Sequence, residues 1–164
     1  MNERSRIEYV IGSDKYWGLE IKKKGKVDVY KFHKELIPWF EENQYNFLEK
    51  EIASKEKSDG KDEKFVWAAS KTIDPYFTFN IQVEIIISKW RGDKAEIMIR
   101  FKGYLEKDPK ELFRRRHGKL GEFLRKIYER YIIKDKVDKM SSQVFKEATD
   151  FINATKKILN LHSA

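Results

Sequence analysis

The 164-residue chain contains no cysteine and only three histidines. The first absence excludes disulfides, thiolate metal sites and a cysteine nucleophile. The histidines, His33, His117 and His162, have no second ligand at helical or hairpin spacing, so neither a metal site nor a cofactor is expected. Long apolar runs are missing too. No window approaches 18 uncharged apolar residues, and the opening MNERSRIEYV lacks the apolar segment of a leader peptide. A soluble, cytoplasmic protein without a transmembrane segment is therefore expected. HExxH, P-loop, GxSxG and GxGxxG motifs are also absent. No catalytic residue is assigned, and a non-enzymatic binding protein is the expectation.

Charge and aromatic residues are what the chain has in quantity. Hydrophobic residues make up 40% and aromatic residues 14%, enough for a packed core. Charged residues reach 38%, rich in Lys and Glu, which leans towards a thermophile's composition. The net charge of +8 is unevenly spread. Residues 1–60 hold twelve Lys or Arg against twelve Asp or Glu, while residues 61–164 hold 23 against 15. A basic excess of this kind favours nucleic acid, an acidic protein surface or lipid headgroups as partners.

The order of elements predicts an α+β fold over residues 1–164 as a single domain. Residues 1–107 are mainly sheet with one helix, and 108–164 form two helices. Residues 7–11 and 17–22 read as short strands. Asp28 reads as the N-cap of a helix with Val29, Phe32, Leu36 and Phe40 on its apolar side, Pro38 kinking or splitting it, and Asn43 closing it. From Tyr45 the hydrophobic period shortens to two. Strands follow at 45–52, 65–73 and 77–87, then a return strand after the turn at Arg91-Gly92-Asp93-Lys94. In the strongest strand Phe77, Phe79, Ile81, Val83, Ile85 and Ile87 occupy alternate positions, which sets one face on the core. Asp108, Pro109 and Glu111 read as a capping box opening the next helix, and residues 137–159 as the last. Its apolar stripe is Val137, Met140, Val144, Phe145, Ala148, Phe151, Ile152 and Ile158. An antiparallel sheet of about four to six strands, covered by an N-terminal helix and two long C-terminal helices, follows. A helix-grip arrangement, with a long last helix across the sheet, has this order.

The segment WAASKTIDPYFTFNIQVEI, with Trp67, Lys71, Asp74, Tyr76 and Phe79, and the later GYLEKD resemble a group of small uncharacterised archaeal α+β proteins. The resemblance implies a shared fold and nothing about function.

The stretch FRRRHGKLGEFLRK concentrates arginine and lysine around two glycines. Placed on one helix, Phe113, His117, Leu120, Leu124, Ile127 and Tyr131 form a stripe at spacings of four and three, expected to face the core. Arg115, Arg116, Lys119, Lys126 and Arg130 fall on one flank of it, with Glu111, Glu122 and Glu129 behind. Two readings are open. The flank is a ridge that holds the phosphates of an anionic macromolecule, with RNA favoured, or it is a solvated surface. Glu111–Arg115 and Glu122–Lys126 would then be paired at i,i+4. The expected contacts are Arg115, Lys119, Lys126 and Arg130, with Arg116 set aside as closest to the core stripe. Gly118 and Gly121 spell the GxxG of KH domains, but the strand such a core needs next is missing; close helix packing explains the glycines better. Lys102-Gly103-Tyr104 begins like an RRM motif and departs from it at Leu105.

A second expectation is a pocket between sheet and C-terminal helix for a small apolar or mixed ligand. Asn80, Gln82, Glu84, Trp67 and Trp90 would line it, and covering that face would raise the pKa of Glu84. The third is a protein-interaction module.

Overall fold

The structure, a computed structural model, describes residues 6–160. His162 and the first five residues lie outside the described residues. Six strands form one antiparallel sheet: β1 (Ile7–Ile11), β2 (Leu19–Lys26), β3 (Asn46–Lys57), β4 (Gly60–Thr72), β5 (Phe77–Arg91) and β6 (Lys94–Lys107). Their order is β1-β6-β5-β4-β3, and β2 continues the β1 edge along the other half of β6. The chain thus starts at one edge, crosses to the other through helix α1 (Val29–Glu42), and returns strand by strand. Helix α4 (Lys134–Ile158) packs against α1, β1, β5 and β6. This is the expected α+β arrangement with a long C-terminal helix.

Strict alternation explains the layering. Phe77, Phe79, Ile81, Val83, Ile85 and Ile87 are almost wholly buried, and Ala95, Ile97, Ile99, Phe101 and Leu105 of β6 join them. The rings of Phe32, Phe40, Trp67 and Phe151 fill the space between sheet and helices, with Phe40 and Phe151 centroids 4.7 Å apart. Asp28 caps α1, its Oδ1 accepting from the Lys31 N–H at 3.0 Å, and Asn43 closes it as expected. Pro38 does not split α1, which runs unbroken past it. The proline lies on the exposed side, while the helix continuing past it still buries Leu36 and Phe40 on the core side. In α4, Phe145 is exposed rather than part of the core stripe, while Thr155 is buried by donating to the Phe151 carbonyl at 3.0 Å.

Lys71, Asp74 and Tyr76 tie the C-terminal helices to the sheet. Trp67 and Phe79 are core. Lys71 reaches Glu147 of α4 at 2.5 Å. Asp74 Oδ1 accepts from the N–H groups of Tyr76 at 2.7 Å and Phe77 at 3.0 Å, and its Oδ2 accepts from Lys136 Nζ at 3.0 Å. Partial burial pushes the Asp74 carboxyl up, but the bonds from Lys136, Tyr76 and Phe77 outweigh it and hold the pKa below the usual value.

A carboxyl held low when folded binds its proton more readily when unfolded. Asp74 therefore adds stability that is complete above about pH 4 and is lost as the pH falls through its folded pKa. Asp74→Asn should lower the melting temperature at neutral pH, and the gap from wild type should close in acid. A gap that stays constant down to the acid limit would show that Asp74 acts by shape alone.

Candidate nucleic-acid interface

Beyond β6 the chain does not enter a helix at once. Asp108 is buried with φ 49°, donating its N–H to the Tyr76 carbonyl at 2.8 Å. Its carboxylate accepts from the N–H groups of Leu112 at 2.8 Å and Phe113 at 3.4 Å. Asp108 thus serves the helix end as expected, but α2 (Leu112–His117) starts only at Leu112, with Glu111 at the N-cap position and Pro109 before it. The expected capping box does not form because Asp108 is fixed to the sheet end. Glu111 turns to Arg6 at 3.3 Å and Arg114 at 3.8 Å.

The single helix expected next is broken. Gly118, at φ 61°, ends α2 and begins a 3-10 turn (Gly118–Leu120) leading into α3 (Gly121–Ile127) and a π-helical turn (Tyr128–Ile132). A positive φ favours glycine at 118. At 121 close approach decides, since a Cβ would lie 2.4 Å from the Phe113 carbonyl oxygen. GKLG therefore joins two helices that pack on each other.

The break changes which face is buried. Leu120, Phe123 and Tyr131 are 67%, 62% and 72% exposed, and His117 and Ile127 are exposed as well. The expected core stripe thus points largely to solvent. Buried instead are Gly121, Arg125 and Glu129, about 120° further round the helix at 100° per residue. Arg125 Nη1 donates to Glu129 Oε1 at 3.0 Å and Oε2 at 3.1 Å. Tyr76 Oη donates to Glu129 Oε1 at 2.5 Å, and Lys107 Nζ stands 3.2 Å from Oε2. Burial and the Glu129 carboxylate together push the Tyr76 hydroxyl pKa far up, so it stays a donor. The rings of Phe113, Tyr76 and Tyr128 pack beside this network, with Phe113 and Tyr128 centroids 5.3 Å apart. Ionic and aromatic docking has replaced the apolar stripe that periodicity predicts.

The outward face carries Arg115 on α2, Lys119 on the 3-10 turn, Lys126 on α3 and Arg130 on the π turn, all exposed. They no longer lie along one straight helix. Lys126 and Arg130 remain neighbours at i,i+4. Arg116, set aside as closest to the core, is exposed too. The expected pairs Glu111–Arg115 and Glu122–Lys126 do not form, because Glu111 pairs as above and Glu122 pairs with Arg125 at 3.8 Å. Among the described residues, Arg115, Lys119, Lys126 and Arg130 have no ion-pair partner; the Arg130 guanidinium lies 5.8 Å from the Tyr131 ring centre. The reading of the sequence missed Phe123. Its signal was there, as the one aromatic residue falling among the cations of the basic flank.

The five residues of the expected pocket are not brought together. Trp67 is in the core, on the opposite face from Asn80, Gln82 and Glu84. Gln82 donates to the Tyr104 hydroxyl at 3.2 Å, and Glu84 sits between Arg100 at 3.5 Å and Lys64 at 3.9 Å. Trp90 stands at the strand end against Tyr30, in a surface cleft of about 530 Å³ that Lys23, Lys26 and Asp93 also line. There Lys26 is paired with Asp93 at 3.8 Å, and Lys23 donates to the Leu159 carbonyl, so this cleft offers less free charge than the α2–α3 face. His33 is wedged edge-on to Phe65 and Trp67 near Glu49. No helix among the described residues is long and apolar enough to cross a membrane.

No family model matches this chain, and no curated protein matches it. The geometry of the α2–α3 face is accordingly the ground for a functional reading.

Removing one partner of a buried ion pair leaves the other charge uncompensated, at about 3–5 kcal/mol. Glu129→Leu should destabilise the fold by about that amount in urea melts, and adding Arg125→Met should restore part of the loss. A Glu129→Leu protein as stable as wild type would mean that this network does not dock α3.

Proposed function

We propose that the protein is a non-enzymatic, cytoplasmic binding protein that contacts an anionic macromolecule, RNA before others, through Arg115, Lys119, Lys126 and Arg130. One observation carries the reading. These four cations stand exposed and without ion-pair partners among the described residues, while the neighbouring acids Glu111, Glu122 and Glu129 are committed elsewhere. A merely solvated flank would use those acids at i,i+4, at roughly 0.2–0.5 kcal/mol per pair. Here Glu129 is buried on Arg125, and Glu111 and Glu122 pair with Arg6, Arg114 and Arg125, so none of the three acids pairs with a ridge cation. Phosphate contacts of this kind position a nucleic acid and release its counterions without reading bases. The small-ligand reading has less to rest on, since aromatic rings occupy the space between sheet and helices.

Replacing Arg115, Lys119, Lys126 and Arg130 together by glutamine should weaken RNA binding. The slope of log affinity against log salt should flatten by about three units, at about 0.7 per single-strand phosphate. Stability should move by no more than about 0.5 kcal/mol, as for other exposed substitutions. Fluorescence anisotropy across a salt series measures the slope. An unchanged slope would make the ridge a solvated flank, and binding that survives only towards an acidic protein would replace RNA as the partner.

A further inference from the structure

The ridge does not stand alone on its face. Phe123, Ile127 and Tyr131 follow one another at i,i+4 and form an exposed row. On one side of this row, three residues on from Phe123 and Ile127, stand Lys126 and Arg130, and Lys119 heads the row. On the other side, three residues back, are Leu120, Leu124 and Tyr128, running down to the aromatic packing of Phe113 and Tyr76. Charge therefore lies along one side of the apolar row and not along both. Exposed large apolar groups in a contiguous row mark an interaction site.

From this arrangement we infer that the face binds a single strand of RNA, its phosphates along Lys119, Lys126 and Arg130 and its bases over Phe123 and Tyr131. The inference rests on the ridge reading and adds to it the strandedness and the base contacts. An extended single strand has the matching section: a line of negative charge beside a line of flat apolar faces. A duplex hides those faces inside its own stack and would use only the cations. Base–aromatic stacking is tolerant of sequence because every base has a π face. The Arg130 guanidinium beside the Tyr131 ring supports that ring's orientation from the charged side. A helix lying in a lipid surface buries its whole apolar face among the acyl chains. Here the far side of that face is already packed, with Tyr128 against Phe113 and Tyr76, which favours the single strand.

The test uses the full chain with a single-stranded RNA of about 12 nucleotides, a duplex of the same length, and anionic phospholipid vesicles. Phe123→Ala and Tyr131→Ala are both at exposed positions, and circular dichroism checks that each variant folds. Each should weaken single-strand binding on the order of ten-fold. Neither should alter the salt slope nor binding to the duplex, whereas the four-glutamine variant should lose both RNAs. If the alanine variants bind the single strand like wild type while the four-glutamine variant does not, the stacking inference is overturned and the ridge reading survives. If neither RNA binds wild type at low salt, the ridge reading fails, and the inference with it. Binding to vesicles alone, lost in Phe123→Ala, would make the face a lipid-docking surface and overturn both.

Discussion

Six large apolar side chains on alternate positions of β5 have to be kept from water, and the other elements are arranged around that requirement. Burying each is worth about 1.5–3 kcal/mol, so together they outweigh any other single feature of the chain. The period of two leaves no second register, since a slip by one residue would expose the whole set. Strands β4 and β6 extend the same face on either side, and α1 and α4 close it. The crossing of α1 from one sheet edge to the other follows, because β1 and β2 pair with β6 while β3 lies at the far edge.

Once α4 covers that face, the chain between β6 and α4 has little apolar surface left to dock on. It is held by charge and by the packed rings of Phe113, Tyr128 and Tyr76. Asp108 grips the start of α2, Glu129 binds Arg125, Tyr76 and Lys107, and Asp74 holds Lys136 at the start of α4. Such contacts are directional where hydrophobic burial is not, and they fix the rotation of α3 about its own axis. That rotation sends Leu120, Phe123 and Tyr131 outward beside unpaired cations. A packing solution and a candidate binding face are therefore two results of one choice of docking contacts.

Where the sequence was legible, a repeated pattern backed each assignment. Asp28 before an apolar helix, the alternation through Phe77 and Ile87, and the turn at Gly92-Asp93 are local signals whose energy depends on near neighbours alone. The stripe of Phe113, Leu120, Ile127 and Tyr131 looked equally regular and was mostly misleading. Periodicity reports that a helix has an apolar side, but it does not report whether that side finds a partner. Pro38 failed as a breaker for a related reason, because it stands on the exposed side of a helix whose other side is held in the core by Leu36 and Phe40.

The residues alone determined the α+β class, the strand that forms the core, the long last helix and the basic excess of the C-terminal two thirds. Each of these follows from period, propensity or charge, which are properties of short stretches of chain. Tertiary structure decided the rest: the break at Gly118, the burial of Arg125 and Glu129, the separation of Trp67 from Glu84, and the release of Arg115 and Lys126 from their expected partners. Those outcomes depend on contacts between residues far apart in sequence, such as Tyr76 with Glu129 and Arg6 with Glu111. Local pattern carries no record of such contacts, because their energy exists only once the sheet has brought the two ends together.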